Sequence, residues 1–478
     1  MTGTTTTVEE LLEAAVLNGA AVLGTGVTGL AAASWLTALD IPVIVYDEGA
    51  VAAGVKESFA RLGITVVDRF SPDSTELSRE FSFFVPSPGV GPNHAFARKF
   101  LDAAIPALSE IDVFEYCAGA ISVAVTGSNG KSTVTSIIAD MFVRDSRRAE
   151  LAGNIGRSLF EVLRGAQERR EQDFPAVVAE LSSYQLEWAE HCAPRVGVWL
   201  NLSENHLERH GTMSGYLDAK SKLFSTQHRG RDVAVLNRDD PAYAEMRARC
   251  RGDVFEFGET VAGDGCRLDA QKRFAEVRVG TTVERFDLAP TTLIGKHNQM
   301  NWCAAIAAAH LSGVSRRAIE ASIAGFRSLE HRLEMIATGT GPVFINDSKA
   351  TSVAAAVTAV DAVRTEFPDR RIILLVGGQA KRGSWRPLAN ALGTKIRDVV
   401  GFGADGATVV EQIRAEMVGT LKNWPTFSNL DEAVTHVMTI ANSDAVVLFA
   451  PGCASFDAFS GFDERGRHFR RLVSGNTP

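Results

Sequence analysis

Apolar runs of strand length alternate with segments of helical periodicity over most of the 478-residue chain. A strand buried in a parallel sheet is a short continuous apolar run, whereas a covering helix repeats its apolar positions about every 3.6 residues. The alternation therefore predicts an α/β protein whose parallel sheets are covered by helices. A first group of predicted strands comprises "AAVLGTG", "IPVIVYD" and "FSFFVPSPG", with the helix "LAAASWLTAL" after the first.

Two further groups of strands follow along the chain. The second group begins at "ISVAVTG" and continues through "PAVVAELSS", "RVGVWLNLS" and "DVAVLNRDD". Between about residues 253 and 290 short alternating runs such as "FAEVRVG" predict a small antiparallel sheet. The third group consists of "PVFINDSKA", "RRIILLVGG", "IRDVVGFG" and "DAVVLFAPG". Since a domain usually has roughly 100 to 200 residues, we expect three domains, at 1–115, 116–328 and 329–478.

Composition and charge exclude several classes of protein. The chain has 49 Lys and Arg against 57 Asp and Glu, a formal net charge of -8, so no overall basic field is present to hold nucleic acid. Its six cysteines include no C-x-x-C pair, which argues against a disulfide framework or a thiolate zinc site. The N-terminus lacks a signal-peptide pattern, and no apolar run reaches the length of a membrane span. We expect a cytoplasmic monomer that binds small molecules, without nucleic acid or membrane partners.

A glycine-rich segment, "GTGVTG" at residues 24–29, follows the first predicted strand and opens a helix. Asp47 ends the next strand about twenty residues later, as in dinucleotide-binding units. Glycines let backbone amides approach a diphosphate at a helix N-terminus, and the carboxylate can accept hydrogen bonds from a sugar or base. The segment is compatible with a nicotinamide cofactor, with another nucleoside diphosphate, or with a tight turn in which Asp47 only caps.

A second glycine loop, "TGSNGKST" at residues 126–133, follows the strand "ISVAV" and leads into a helix. The common phosphate-loop pattern has its first glycine six residues before the lysine, where this chain has Val125. In the shorter form, backbone amides can still cradle phosphate oxygens, Lys131 can neutralise them and Ser132 can ligate Mg²⁺. The expected phosphate-binding residues are Gly127, Ser128, Asn129, Gly130, Lys131, Ser132 and Thr133.

Three further polar residues follow in the same predicted unit. Glu180 ends the buried strand "PAVVAE", and His206 follows the end of another strand in "LNLSENHLERH". In open parallel sheets this edge holds ligands, so both side chains are candidate metal ligands, although Glu180 could instead cap a helix and His206 could be structural. Lys220 lies in "YLDAKSKLF", whose pattern alone predicts an amphipathic helix with the lysine on its solvated face.

A series of motifs in fixed order resembles the muramyl ligase family, the ATP-dependent amino-acid ligases of peptidoglycan synthesis. The resemblance covers about residues 20 to 469, and the shortened loop is itself that family's form of the motif. The motifs are "TGSNGKST", "GNIG", "ELSSYQLE", "ENHLERHG" with "YLDAK", "NRDDP", "GKHNQMN", "EHRLE", "INDSKAT" and "PGCASFDAFSGFDERG".

Within the family, "GTGVTG", "ELSSYQLE" and "ASFDAFSGFDERG" are similar to the branch that adds D-glutamate to UDP-N-acetylmuramoyl-L-alanine. The branch that adds a diamino acid would carry D-N-P-R in its third domain, which this chain lacks. The chain also departs from the family pattern. Asn205 and Glu208 stand where aspartates are frequent, Ser352 stands where asparagine is usual, and Gln379 stands where an acidic residue is common.

The resemblance implies a three-domain α/β enzyme that forms an amide bond through an acyl phosphate, using ATP and two Mg²⁺ ions. It implies Rossmann-like N-terminal and C-terminal domains around a central P-loop ATPase-like domain with a mostly parallel sheet plus a small antiparallel sheet. Catalysis and metal binding would involve Lys131, Ser132, Glu180, His206 and Lys220, the last as a carbamate.

The resemblance also implies the residues that bind the three substrates. The UDP substrate would contact Val27, Thr28, Asp47, Gly89, Asn154, Ser182 and Gln185. The adenosine of ATP would contact Asn298, Asn301, Arg332 and Asp347. The D-glutamate would contact Lys349, Thr351, Lys381, Ser455 and Phe462.

Three other functions are compatible with parts of this pattern. A member of the same family with another amino-acid or acceptor specificity would share most of the motifs. A nucleotide-dependent switch would hydrolyse ATP without ligating anything. A nicotinamide dehydrogenase would account for "GTGVTG" alone, but it leaves the second loop and its sheet-edge residues unexplained.

Overall fold

The protein, examined as a computed structural model, has an α/β fold of mostly parallel sheets covered by helices. The structure describes residues 7–73, 77, 80–169, 174–336, 341–381, 383–393, 396, 398–417 and 424–474. Two compact units are formed, one by Met1–Ala289 with Met300–Ile323 and the other by Pro290–Gln299 with Ala324–Pro478.

The strands and helices alternate along the chain as the apolar pattern predicts. The strands are β1 (Ala20–Leu23), β2 (Val43–Tyr46), β3 (Thr65–Val67), β4 (Phe83–Pro86), β5 (Val123–Thr126), β6 (Ala149–Gly153), β7 (Ala176–Glu180), β8 (Val196–Trp199), β9 (Val233–Asn237), β10 (Asp253–Gly258), β11 (Gly265–Asp269), β12 (Phe274–Val279), β13 (Thr282–Asp287), β14 (Glu334–Ile336), β15 (Val343–Asn346), β16 (Arg371–Gly377), β17 (Asp398–Phe402), β18 (Thr426–Phe427) and β19 (Ala445–Gly452). The helices are α1 (Val8–Asn18), α2 (Val27–Thr37), α3 (Ala53–Ala60), α4 (Ala95–Asp102), α5 (Glu110–Ala118), α6 (Lys131–Arg144), α7 (Leu159–Arg169), α8 (Ser183–Leu186), α9 (Leu207–His210), α10 (Met213–Ser221), α11 (Tyr243–Arg249), α12 (Lys296–Leu311), α13 (Arg316–Gly325), α14 (Val353–Glu366), α15 (Arg386–Leu392), α16 (Gly406–Ala415), α17 (Leu430–Ile440) and α18 (Phe462–Ser474), with a 3-10 turn at Lys222–Phe224.

The first sheet has the order β3-β2-β1-β4, and all its strands are parallel. All four residues of β1 are buried, as a continuous apolar run in a covered parallel sheet requires. The predicted strands of the first group are therefore confirmed as β1, β2 and β4, whereas the short strand β3 was not predicted.

The second sheet has nine strands in the order β13-β12-β11-β10-β9-β8-β5-β7-β6. Strand β5 lies inside it, paired in parallel with β7 on one side and β8 on the other. At the other end β12 runs antiparallel to β11 and β13, which confirms the small antiparallel region expected between residues 253 and 290. This region continues the main sheet, because β11 pairs with β10 and β10 pairs with β9.

The second unit is built on a six-stranded sheet of order β14-β15-β19-β16-β17-β18. Within the described part of this sheet, only β14 runs antiparallel to its neighbour. Strand β19 is buried along its whole length. The strands predicted after residue 327 are confirmed as β15, β16, β17 and β19.

Each of the three predicted domain ranges contains one sheet. The first two sheets belong to the same compact unit. The boundaries near residues 115 and 328, and the Rossmann-like arrangement of the outer domains, therefore stay predictions. Among the helices of the described residues, none is both long and apolar enough to cross a bilayer.

Two helical glycines of the first sheet's domain form a matched test of packing. A Cβ at Gly29 in α2 would lie 2.0 Å from the Gly24 carbonyl oxygen, whereas a Cβ at Gly54 in α3 would meet no atom within 4 Å. We expect Gly29→Ala to lower the free energy of unfolding by roughly 1–3 kcal/mol, because the backbone must shift. We expect Gly54→Ala to raise it by about 0.5–1 kcal/mol, because alanine favours the helix. Urea denaturation measures both changes, and a stabilised Gly29→Ala would contradict the close packing of α2 on the glycine loop.

Candidate active site

The loop after β5 turns directly into helix α6, and two glycines set its shape. Gly127 has φ 154° and Gly130 has φ 84°, so both adopt conformations that disfavour other residues. Gly130 is the N-cap of α6, and no side chain caps this helix. A Cβ at Gly130 would lie only 2.6 Å from Asn301 Oδ1, which places predicted ATP contact Asn301 against the loop. An uncapped helix start of this kind is suited to bind phosphate oxygens.

The loop is braced by residues that follow β8. Asn201 Oδ1 accepts from the Asn129 N–H at 2.9 Å, and Asn201 Nδ2 donates to the Asn129 carbonyl at 3.1 Å. The Ser203 N–H donates to Ser128 Oγ at 2.9 Å, and Asn129 Nδ2 donates to Ser203 Oγ at 3.2 Å. Asn201 and Ser203 were not among the predicted site residues, although their place just after the strand "RVGVWL" puts them at the same sheet edge as the loop.

Two lysines converge on one carbonyl oxygen of the loop. Lys131 Nζ donates to the Gly127 carbonyl at 2.9 Å and to the Ser128 carbonyl at 3.1 Å, and Lys220 Nζ donates to the Gly127 carbonyl at 2.9 Å. Lys220 is 1% exposed, and its ammonium lies 4.5 Å from the ring centroid of Tyr216. The sequence-based interpretation of Lys220 as part of a solvated helix face is therefore wrong.

Burial changes the chemistry of Lys220. Burial, together with the neighbouring positive charge of Lys131, lowers the pKa of Lys220 well below its ordinary value, while Glu180 acts in the opposite direction. A buried lysine of lowered pKa is available as a neutral, nucleophilic amine. This property is what the formation of a carbamate with carbon dioxide requires.

Glu180 lies at the carboxyl end of β7, and it is 2% exposed. Its Oε1 accepts from Asn154 Nδ2 at 2.9 Å, whereas its buried Oε2 has no hydrogen-bond partner among the described residues. Glu180 does not cap a helix, because the N-cap of α8 is Ser182, whose Oγ accepts from the Gln185 N–H. An unsatisfied buried carboxylate oxygen is costly, and a cation would satisfy it.

His206 has φ 55° and forms the N-cap of α9. Its Nδ1 lies 3.0 Å from Tyr184 Oη and 3.6 Å from Glu208 Oε1, so Nε2 is the nitrogen left to face a ligand. Burial lowers the pKa of His206, which favours the neutral form that binds metals. Asn205, which stands where the family often has aspartate, accepts from the His206 N–H through its side chain at 3.1 Å.

The described residues contain no group of three or more His, Cys, Asp or Glu side chains that could enclose a metal. Mg²⁺ usually keeps water and takes phosphate oxygens together with one or two carboxylates, so a complete protein cage is not expected. The bare Oε2 of Glu180 near the start of α6 fits this kind of site. The other predicted metal ligands in this unit are Ser132, which is 6% exposed in the first turn of α6, His206, and Lys220 as a carbamate.

The predicted contacts of the first glycine loop lie around α2. Asp47 Oδ2 accepts from the Thr25 N–H at 2.9 Å and from Thr25 Oγ1 at 2.7 Å, so the carboxylate braces the loop. Val27 is 78% exposed at the first position of α2, followed by the partly exposed Thr28. The Gly89 carbonyl accepts from Arg209 Nη1 at 2.8 Å, which links the loop after β4 to helix α9. Asp47 thus stabilises the turn through its bonds to Thr25, as in the alternative in which it has a structural role.

The predicted amino-acid contacts of the second unit are held around a buried arginine. Arg465 is fully buried and donates to the Ser348 carbonyl at 2.9 Å and to the Cys453 and Ala454 carbonyls at 3.1 Å. These bonds join the segment that carries Lys349 to the segment that carries Ser455. Arg465 lies in the motif "PGCASFDAFSGFDERG", but its structural role was not predicted. The hydrophobic and polar pattern of the motif does not show that the guanidinium points inward.

Other predicted contacts of this unit lie close to that cluster. Lys349 Nζ lies 3.8 Å from the ring centroid of Phe462, and the Thr351 N–H donates to the Lys349 carbonyl at 2.8 Å. Gln379 exchanges two backbone hydrogen bonds of 2.9 Å with Ala454, and Lys381 follows two residues later. Ser352, where the family usually has asparagine, is the N-cap of α14.

The adenosine contacts predicted in the second unit include the buried side chain of Asn298 and the partly exposed side chain of Asp347. Asn298 Nδ2 donates to the Ile294 carbonyl at 2.8 Å. Asp347 Oδ1 accepts from the Leu333 N–H at 3.2 Å. Burial raises the pKa of Asp347 to about 7, and the charge of Arg332 opposes that rise.

Comparison with known proteins identifies the family. Residues 125–309 match the Mur ligase middle domain and residues 331–453 match the glutamate ligase domain of Mur ligases. The UDP-N-acetylmuramoylalanine--D-glutamate ligase of Thermoanaerobacter sp. (strain X514) is 31% identical over 460 residues, 95% of this chain and 97% of that protein. The chain belongs to the Mur ligase family. The similarly named ligase of Geobacter metallireducens is 33% identical over 459 residues, 95% of this chain and 96% of its own.

Solved Mur ligase structures share the fold. The MurF structure I from Acinetobacter baumannii has a TM-score of 0.59 at 16% identity and covers 98% of each chain. The MurF ligase of Thermotoga maritima in complex with ADP has a TM-score of 0.59 at 14% identity, with 91% of this chain and 95% of that chain covered. At such identities the likeness shows the fold alone.

The raised pKa of Asp347 should make stability depend on pH. Its folded-state pKa of about 7 lies above the value of about 3.9 for an unfolded aspartate, so the folded chain binds more protons between these values. This contribution to stability is fully present below about pH 4 and is lost as the pH rises through about 7. We expect the urea midpoint of the wild type to fall relative to that of Asp347→Asn when the pH is raised from about 5 to about 8. A difference that does not vary with pH would contradict the raised pKa.

Proposed function

We propose that this Mur ligase joins the amine of D-glutamate to the carboxylate of UDP-N-acetylmuramoyl-L-alanine, with conversion of ATP to ADP and phosphate. The choice of substrates is supported by the names of relatives that are 31% and 33% identical over 95% of this chain. For the phosphoryl-transfer half of the reaction, the supporting observation is the convergence of Lys131 and Lys220 on the Gly127 carbonyl, in the unit that holds the bare oxygen of Glu180.

The chemistry requires activation of a carboxylate. A carboxylate at neutral pH does not accept an amine, because its oxygen is a poor leaving group. Its attack on the γ-phosphorus of ATP breaks the bond to ADP and gives an acyl phosphate. The ammonium of D-glutamate first gives a proton to a base, and the resulting amine adds to the acyl carbon. The nitrogen then loses a second proton, phosphate leaves with the electron pair of the C–O bond, and the amide remains. The protein contributes positioning and neutralisation of charge.

The phosphate loop supplies most of that neutralisation in the proposal. Lys131, now bonded to its own loop carbonyls, would move its ammonium onto the transferred phosphoryl group. The amides at the uncapped start of α6 would bind the phosphates of ATP. Because Asn301 lies against Gly130, it would contact the nucleotide beyond its phosphates. The proposal also assigns adenosine contacts to Asn298, Arg332 and Asp347.

The residues around Glu180 fit two Mg²⁺ ions in this proposal. Ser132 and Glu180 would hold one ion, and His206 with a carbamate on Lys220 would hold the other. Bound Mg²⁺ supplies positive charge that stabilises phosphate oxygens during transfer. A carbamate would convert the amine of Lys220 into an anionic oxygen ligand, which relieves the repulsion between two neighbouring ammonium groups.

Recognition of the other two substrates follows from charge and position. The UDP group would lie along "GTGVTG" and the loop after β4, with contacts from Val27, Thr28, Asp47 and Gly89, while Asn154, Ser182 and Gln185 would face the muramoyl portion. The D-glutamate has two carboxylates, for which Lys349 and Lys381 supply matching charges. Thr351, Ser455 and the backbone of Phe462 would complete its pocket.

Steady-state phosphate release with different amino acids tests the specificity. We expect release with ATP, UDP-N-acetylmuramoyl-L-alanine and D-glutamate, and none when either co-substrate is omitted. Activity with L-lysine or diaminopimelate in place of D-glutamate would contradict the proposed specificity. Hydrolysis of ATP at the same rate without co-substrates would indicate a nucleotide switch instead.

A pair of lysine variants tests the carbamate. Lys220→Ala should lower kcat about 100-fold or more, because a metal ligand is lost. Acetate should restore part of the activity, since a small carboxylate can enter the space left by the side chain. Lys222→Ala is the matched control, because its Nζ contacts the Glu187 carbonyl at 2.6 Å and bonds to no part of the phosphate loop. Failure of acetate and other small carboxylates to rescue Lys220→Ala would exclude the carbamate.

A further inference from the structure

Glu110, in the first turn of α5, is a buried carboxyl group to which the proposed reaction gives no role. It is 6% exposed. Its Oε1 accepts from Gln185 Nε2 at 2.7 Å, and its Oε2 accepts from Ser158 Oγ at 3.1 Å and from the Leu159 N–H at 3.3 Å. One carboxyl group thus holds two segments that are distant from it in sequence.

The first of these segments is the loop between β6 and α7, residues 154–158. At its far end Asn154 donates twice to Glu180, from its N–H to the carbonyl at 2.8 Å and from Nδ2 to Oε1 at 2.9 Å. At its near end Ser158 donates to Glu110. The loop is therefore held between Glu180, at the sheet edge, and Glu110, on α5.

The second segment is the start of α8. Gln185 Oε1 accepts from the Ser182 N–H at 3.0 Å and from Ser182 Oγ at 2.8 Å. Because the amide oxygen of Gln185 faces Ser182, its amide nitrogen must face Glu110. One residue, Leu181, separates Ser182 from Glu180 in the chain. The contacts therefore close a ring that runs from Glu180 through Asn154 and Ser158 to Glu110, and back through Gln185 and Ser182.

We propose that Glu110 is a positioning residue that orients the central-domain contacts of the UDP substrate. The inference rests on the proposed function, in which Asn154, Ser182 and Gln185 face that substrate. All three are members of the ring, while Glu110 closes it from the buried side without touching the substrate. Loss of Glu110 would release the amide of Gln185 and one end of the loop that carries Asn154.

Glutamine at this position keeps the shape but not the hydrogen bonding. The carboxyl of Glu110 accepts from three donors, whereas a glutamine amide has one acceptor oxygen and one donor group. If its oxygen meets Ser158 and Leu159, its NH₂ group faces the NH₂ group of Gln185. Rotation of the Gln185 amide would relieve that clash only by breaking both bonds with Ser182.

Asp112 gives a matched control on the same helix. It is 3% exposed, and it accepts from Ser109 Oγ at 2.6 Å and from the His191 N–H at 2.7 Å. None of its described hydrogen bonds involves the 154–158 loop or Gln185. Glu110→Gln and Asp112→Asn therefore both replace a buried carboxyl of α5 by an amide, but only the first disturbs the ring.

The test compares these variants as full-length enzymes by steady-state kinetics and calorimetry. Glu110→Gln should raise KM for UDP-N-acetylmuramoyl-L-alanine, and its Kd, about tenfold, since a buried hydrogen-bonding group is left unsatisfied. The Kd for ADP measured without Mg²⁺, so that Glu180 holds no metal, and the KM for D-glutamate should stay unchanged. Asp112→Asn should leave all these constants unchanged, even if the substitution lowers the melting temperature.

An unchanged KM for the UDP substrate in Glu110→Gln, or an equal rise in Asp112→Asn, would overturn the inference. If Glu110→Gln does not fold, Ser158→Ala is the second variant, because it removes one hydrogen bond to Glu110 and leaves Gln185 in place. It should raise the KM for the UDP substrate about threefold. An unchanged KM in Ser158→Ala would overturn the inference. A wild type that does not bind the UDP substrate at all would overturn the proposed function. A wild type and a Glu110→Gln variant that bind it equally would overturn only the positioning role.

Discussion

The carbonyl oxygen of Gly127 accepts hydrogen bonds from Lys131 and Lys220, and the arrangement of the phosphate loop depends on this shared acceptor. The contact requires the positive φ of Gly127, which L side chains rarely adopt. Burial and the neighbouring positive charge of Lys131 both disfavour the charged form of Lys220 and lower its pKa. In the proposed function, phosphate bound at the start of α6 would place negative charge beside the two lysines, so nucleotide binding would stabilise the loop.

The apolar pattern predicted most of the fold because the sheets are parallel and covered on both faces. Strands such as β5, β7 and β19 are continuous apolar runs, and they were located correctly. The short or half-buried strands β3, β6, β14 and β18 were missed, because two to five residues of mixed burial leave no clear periodicity. The parallel topology also allowed the position of the candidate site to be predicted, because it brings the carboxyl ends of β5, β7 and β8 to one edge of the sheet.

The site was predictable where a residue follows a strand and unpredictable where its role depends on the fold around it. Glu180 and His206 could be inferred from their places after β7 and β8. Lys220 could not, because helical periodicity treats a lysine as a solvated residue and shows nothing of the loop that covers it. Arg465 in the second unit was equally unpredictable from helical periodicity. Its guanidinium can be buried because it donates to the carbonyls of Ser348, Cys453 and Ala454.

Two buried carboxyl groups connect the proposed substrate contacts to the proposed metal ligand Glu180. Glu180 accepts a hydrogen bond from Asn154 at Oε1, whereas its Oε2 has no hydrogen-bond partner among the described residues. A cation bound at Oε2 would therefore act on the same side chain that holds one end of the 154–158 loop. Glu110 fixes the other end of that loop and the amide of Gln185. Because the ring is closed through hydrogen bonds and a short piece of chain, a shift of Glu180 is opposed at every other member. In the proposed function, UDP substrate bound to Asn154 or Gln185 and a cation bound to Glu180 would act on the same set of hydrogen-bonded residues, which would link the binding of the two ligands.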